Sequence, residues 1–256
     1  MKIAVLVKQV PGPESALPIN DHGTWVDEES VTFVMNPPDN FALEEALLIK
    51  EGKGDGEVVV VSMGPDRVQK VIREGLAKGA DRGIHIQELG PIEKDPLLIA
   101  KRFTAVLKDE NFDLVLTGLQ SDDTGMGQTG VLIGEMLGIS TATLAVETDI
   151  KDNHIRLKRE LESGWFQWVE FPLPASISIQ SGLNTPRYPS LKGIMGAKKK
   201  EIKTVSCTEL DISSNSQSVD KVFVPQTSKH SEVIDGEVDA AVERIVEILR
   251  SEIKVI

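Results

Sequence analysis

The chain of 256 residues is poor in the groups that usually announce a chemistry. It holds one cysteine, Cys207, which excludes an internal disulfide and any cysteine-built metal cluster within one chain, and fits a reducing, cytosolic setting. Its four histidines, His22, His85, His154 and His230, are scattered, with no companion at metal or catalytic spacing. No Ser-His-Asp grouping, nucleophile elbow or Walker loop is present. No run approaches the ~20 apolar residues that a membrane span needs. The first apolar stretch, Ile3 to Val7, is only five residues long and Lys8 ends it, too short for a signal peptide. Aromatic residues make up 4%, so the core must be built from Val, Ile, Leu and Ala. Positive charge is also scarce: the net charge of −12 argues against a nucleic-acid partner, because phosphate backbones are held by clustered Lys and Arg.

What remains is a globular composition, 40% hydrophobic and 27% charged, with a strong alternation of elements. Ile3 to Val7 reads as a strand covered on both faces. Residues 11 to 30 are an excursion rich in Pro, Gly and acidic residues, with a short hairpin expected near Trp25. Val31 to Met35 is strand-like, and Asn36-Pro37-Pro38-Asp39 then leads into a helix with Asp39 as its expected cap. Val58 to Val61 is the strongest buried-strand signal, followed by a glycine turn and a helix through Val68, Val71, Ile72 and Leu76 that Gly79 closes. Ile84 to Ile86 is a short strand. Asp95-Pro96 places a capping residue before a proline at the first helical position. Leu114 to Thr117 opens the third such unit. Strands alternating with helices imply a parallel sheet with helices on both faces. After Ile139 four strand-like runs without intervening helices suggest antiparallel strands added at one side. The expected division is an α/β nucleotide-binding domain over 1–182, a surface loop over 183–200, and a C-terminal arm over 201–256 ending in an amphipathic helix from Val238 to Ile253.

One stretch stands out for chemistry. Gly118 to Gly130 follows a strand directly and contains four glycines, the pair Asp122-Asp123, and Gln128-Thr129-Gly130 at the start of a helical pattern. An open parallel sheet binds ligands outside the carboxyl ends of its strands, and the free N–H groups of a first helical turn attract phosphate. The plainer reading is a mere connection, with Asp122-Asp123 a solvated pair or cap. Lys198-Lys199-Lys200 reads as a solvated charge run or, on so long a loop, as a basic docking patch. Trp165 and Trp168 read as packing residues and Cys207 as inert.

Several motifs in fixed order resemble the β subunit of electron-transfer flavoproteins: Val7-Lys8-Gln9-Val10, Met35-Asn36-Pro37 before Leu43-Glu44-Glu45-Ala46, Val61-Ser62-Met63-Gly64-Pro65, Ala77-Lys78-Gly79-Ala80-Asp81-Arg82, Gln128-Thr129-Gly130, and Asn184-Thr185-Pro186-Arg187-Tyr188 running to Lys200. The resemblance spans nearly the whole chain. It implies a Rossmann-like, doubly wound α/β fold of the adenine nucleotide alpha hydrolase type. It also implies a heterodimer with an alpha subunit that holds most of the FAD, while this chain carries AMP in a structural role and performs no substrate chemistry of its own. Electrons would come from primary dehydrogenases of acyl-CoA or amine type and pass to a quinone oxidoreductase. By motif, the AMP site falls on Leu6, on Asn36, Pro37, Pro38 and Asp39, on Met63, and on Ser121, Asp122, Asp123, Thr124, Gly125, Met126, Gly127, Gln128, Thr129, Gly130, Val131 and Leu132. Partner docking falls on Tyr188, Leu191, Lys198, Lys199 and Lys200. Flavin-bifurcating relatives carry valine in the position of Thr129 and bind a second FAD in place of AMP, which is one alternative. A flavin-free nucleotide-sensing protein is the other.

Overall fold

The computed structural model describes the whole chain except residues 91–92, 211, 213–216, 226–230 and 232, so His230 lies outside the described residues. The chain divides into two units, Met1–Val222 and Phe223–Ile256.

The first unit is built on a sheet of nine strands among the described residues. In chain order these are β1 (Lys2–Leu6), β4 (Glu57–Gly64), β5 (Arg82–Gln87), β6 (Leu114–Gly118), β7 (Ser140–Lys151), β8 (His154–Glu160), β9 (Phe166–Pro172), β10 (Ala175–Ile179) and β11 (Ile202–Ser206); β2 (Gln9–Pro11) and β3 (Phe33–Met35) form a small antiparallel pair beside it. The sheet order is β11-β5-β4-β1-β6-β10-β7-β8-β9. Strands β11 through β7 run parallel, and only β7-β8-β9 are antiparallel.

Strand residues alternate between two apolar layers, because successive side chains of a strand point to opposite faces. Ile3 and Val5 of β1, Val58 and Val60 of β4, and Leu114 and Leu116 of β6 face α1 (Pro37–Lys53) and α2 (Gln69–Lys78). Ala4, Val59, Val61, Ile84 and Val115 face the other way, towards α3 (Pro96–Leu107) and Ile133 of α4 (Thr129–Leu137). Each of the buried Val, Leu and Ile side chains contributes about 1.5–3 kcal/mol. This is the doubly wound α/β architecture expected from the alternating pattern.

Four expectations need correction. Helix α1 starts at Pro37 with Asn36 as its cap, so Asp39 lies inside the first turn and its carboxylate is free for another task. The last of the four late strands, β10, is not antiparallel: it returns into the sheet between β6 and β7 and is parallel to both, and all five of its residues, Ser176 and Ser178 included, are buried there. The arm expected from residue 201 begins inside the sheet, because Ile202–Ser206 pairs with β5 as an edge strand and the unit continues to Val222. The loop expected over residues 183–200 contains α5 (Leu191–Ala197), capped by Ser190, whose Oγ accepts from Gly193 N at 3.0 Å. Two glycines hide that short helix from a periodicity reading. Gly193 is required by packing, since a Cβ there would run into the carbonyl oxygen of Ala77.

The second unit contains α6 (Val238–Glu247), continued by one wider turn over Ile248–Glu252. Val238, Val242, Ile245 and Leu249 recur at helical spacing and give it an apolar stripe. Among the described residues no helix is long and apolar enough to cross a membrane.

Candidate functional site

The connection from β1 to β4 runs to one side of β1, whereas the connection from β5 to β6 crosses to the other. A crevice therefore opens outside the carboxyl ends of β1 and β6, the topological switch point of the sheet. It is a cleft of about 990 Å³, counting the open solvent at its mouth.

Its wall is held by the first turn of α1. Asp39 is buried, and its Oδ2 accepts from the backbone N–H of Lys8, just past β1, at 2.7 Å. Its Oδ1 accepts from the N–H of Gly118, the last residue of β6, at 3.1 Å and from Asn36 Nδ2 at 3.0 Å. Burial pushes the Asp39 carboxyl up to about 7, although the N–H groups of Lys8 and Gly118 and the Asn36 amide all act to lower it. Asn36 in turn donates to Gln120 O at 2.9 Å and accepts from the N–H of Asp122 at 3.0 Å. Two side chains thus tie together the ends of β1, β6 and the glycine loop. Gly118 is indispensable to this contact, because a Cβ there would overlap the Asp39 carboxylate and the backbone of Pro38.

The loop itself is pinned by Lys8, whose Nζ lies 2.6 Å from Asp123 Oδ1, 3.3 Å from Ser121 Oγ and 3.4 Å from Thr124 Oγ1. Burial works against the charge of Asp123, but the Lys8 ammonium and neighbouring donors outweigh it and hold its carboxyl below the ordinary value. Gly125 and Gly127 take left-handed backbone angles, φ 63° at each, and deliver the chain to α4. Gln128 caps that helix without any side-chain bond, so the N–H groups of the first turn are left to the cleft. On the far side Glu88 pairs with Arg102 at 2.6 Å, and Glu93 Oε1 accepts from the N–H groups of Lys94 and Asp95. Lys94 lies over the Trp25 ring, 4.4 Å from its centre, and burial lowers its pKa.

Of the residues expected at the nucleotide site, Leu6, Asn36, Asp39, Met63, Ser121, Thr124, Met126, Gly127, Gln128, Thr129, Gly130 and Val131 line the cleft together. Pro37, Pro38, Asp122, Asp123, Gly125 and Leu132 do not. Asp122 is exposed, and the side chain of Asp123 is spent on Lys8. Sequence reasoning missed Lys8, Glu88, Glu93, Lys94, Phe103, Thr117 and Ser178. For Glu88 a signal existed: it follows β5 immediately, and every parallel strand delivers its next residues to the same rim.

The second region of interest lies on α5 and the segment before it. Tyr188, Leu191 and Met195 are 94%, 81% and 73% exposed, and Lys198 and Lys199 are exposed beside them. Lys200 departs from the expected exposed run. Its Nζ donates to Leu76 O at 3.1 Å and Ala80 O at 2.5 Å, capping the carboxyl end of α2, and burial lowers its pKa. The tryptophans are also corrected: Trp165 is largely exposed, and Trp168 stands on an outer sheet face with the Arg156 guanidinium 4.3 Å above its ring. Cys207 is buried, and burial raises its thiol pKa.

The model of the electron transfer flavoprotein domain matches residues 23–210. The chain belongs to the electron transfer flavoprotein family. Its relatives there are beta subunits. The electron transfer flavoprotein subunit beta of Methylophilus methylotrophus is 38% identical over 259 residues, covering 97% of this chain and 98% of the relative. The subunit beta of Dictyostelium discoideum is 34% identical over 98% of this chain and 97% of its own. That of Homo sapiens is 35% identical over 83% and 84%. The electron transfer flavoprotein match includes β3 through β11, and with them the glycine loop, α4 and the exposed α5 face.

Proposed function

We propose that this chain is the beta half of a heterodimeric electron carrier, which binds AMP structurally in the β1/β6 cleft and works with an alpha subunit that holds most of the FAD. The observation that carries the reading is the character of the cleft. Its ionisable groups Lys8, Asp39, Glu88 and Glu93 are engaged in holding ion partners or backbone, which suits retaining a ligand better than reacting with one. The residues fit an adenine mononucleotide: Leu6 and Met63 offer apolar faces at two strand ends, and Gly127 to Gly130 offer first-turn N–H groups and the Thr129 hydroxyl to a phosphate. FAD, when bound, supplies the one-electron chemistry, taken up from primary dehydrogenases of acyl-CoA or amine type and passed to a quinone oxidoreductase. This chain contributes the scaffold and, through Tyr188, Leu191, Lys198 and Lys199, a docking face. Releasing nucleotides from the co-expressed, purified heterodimer should give AMP and FAD in equal amounts. Two FAD and no AMP would replace this reading with flavin bifurcation, and a colourless protein without an alpha companion would replace it with a nucleotide sensor.

A further inference from the structure

The segment that leads to the exposed α5 face is staked down before it gets there. Asn184 Nδ2 donates to Phe41 O at 3.0 Å and to Glu45 Oε2 at 3.1 Å, and Thr148 Oγ1 donates to the other oxygen of Glu45. Three residues on, Arg187 reaches two carboxylates at once. Its backbone N–H and Nε donate to Glu44 Oε2 at 3.0 and 2.9 Å, and its Nη2 donates to Glu44 Oε1 at 2.9 Å. Nη1 and Nη2 also grip Glu51 Oε1 and Oε2 at 2.5 and 3.0 Å. Glu44 and Glu51 stand seven residues apart on α1, hence two turns apart on one face. A planar guanidinium that spans both is fixed in direction as well as position, because its donors form a rigid fork. Beyond α5 a second stake follows: Arg73 Nη1 donates to Ala197 O at 2.5 Å and to Lys200 O at 2.7 Å.

Between these stakes the chain holds large apolar side chains out into solvent, with Lys192, Lys198 and Lys199 exposed around them. Glu44 is buried and needs a cation, so its half of the clamp has a structural purpose; Glu51 is 56% exposed, and ion pairs at a surface contribute a median of about 0–1 kcal/mol, so the reach to this second carboxylate is poorly explained by stability alone. Orientation explains it better. A docking segment already fixed in its bound geometry loses less freedom on binding.

We infer that Arg187 is a positioning residue: by clamping the 184–187 segment to Glu44 and Glu51 of α1, it sets the direction in which Tyr188, Leu191 and Met195 meet a partner protein. This rests on the reading of residues 183–200 as a docking surface. The test uses the co-expressed heterodimer, with an acyl-CoA dehydrogenase and an amine dehydrogenase as probes and the faster one kept for kinetics. Arg187→Ala raises KM for the carrier about tenfold, with kcat within about twofold and FAD content unchanged. Arg187→Lys recovers part of the loss, since an ammonium is a point donor that cannot grip two carboxylates as a fork does. Leu191→Ala raises KM by itself, and the double variant falls well short of the product of the two effects, because direction counts for less once one of the contacts it aims is gone. Wild-type KM in Arg187→Ala, beside a raised KM in Leu191→Ala, overturns the clamp and leaves the docking surface standing. Full additivity of the two, or flavin loss in Arg187→Lys, makes Arg187 a general structural residue and overturns it as well. An unchanged KM in Leu191→Ala removes the docking reading, and the clamp's purpose with it. Should Arg187→Ala fail to fold, Arg187→Lys and Glu51→Gln carry the same comparison.

Discussion

Replacing Asp39 by asparagine isolates the energy stored at the cleft wall. The carboxyl titrates at about 7 in the folded chain against 3.8 when unperturbed, chiefly because it is buried. Between those values the folded state holds a proton that the unfolded state has released, so the contribution of Asp39 is fully present below about pH 4 and is lost as pH rises to about 7. About three pKa units correspond to about 4 kcal/mol, at about 1.4 kcal/mol for each pH unit within the window. Three donors converge on the carboxylate and favour its charged form, so burial prevails over them in this net figure. Asparagine does not titrate there, so the difference between the two proteins reports Asp39 alone and cancels the other carboxylates. Urea unfolding of both at about pH 5, 6.5 and 8 should move the gap by about 3 kcal/mol in favour of the variant as pH rises. A gap that stays level across that range refutes the argument that burial governs this carboxyl.

Two further outcomes follow from the geometry. Gly118→Ala drives a Cβ into Asp39 and the backbone of Pro38; a loss of about 3 kcal/mol is expected, read as a fall in Tm of about 6–12 °C, together with loss of the nucleotide proposed for the cleft. At the opposite end of the sheet Glu110 joins Lys2 at 2.9 Å and Arg82 at 2.7 Å. Burial opposes its charge, yet the Lys2 and Arg82 partners prevail and lower its carboxyl to about 2. Its stabilisation is therefore present above about pH 4.5 and disappears as pH falls through about 2, and Glu110→Gln should remove about 2 kcal/mol at neutral pH in chemical denaturation, little of it at pH 2.

Much of the site was legible because its signals are local. The strand, glycine loop and helix start at Leu114 to Thr129, and the Asp95-Pro96 cap whose carboxylate accepts from Leu97 N at 2.9 Å, depend on neighbours in sequence. What stayed hidden depends on partners far along the chain. Asp39 reads as a cap until Gly118, 79 residues on, is seen donating to it. The direction of β10 is decided by β6 and β7, and nothing within Ala175–Ile179 encodes it. Lys200 looks like the end of a basic run until the carbonyls closing α2 appear beside it.

Helix α1 carries more than its share of the molecule. At 17 residues it is about 25 Å long. Its first turn seats the glycine loop, while its middle and last turns hold the segment ahead of α5. The two surfaces are therefore mounted on a single girder. Its alignment is a shared inheritance: a tilt imposed at the cleft end arrives at the other as a displaced α5 face, with every residue of that face still in place.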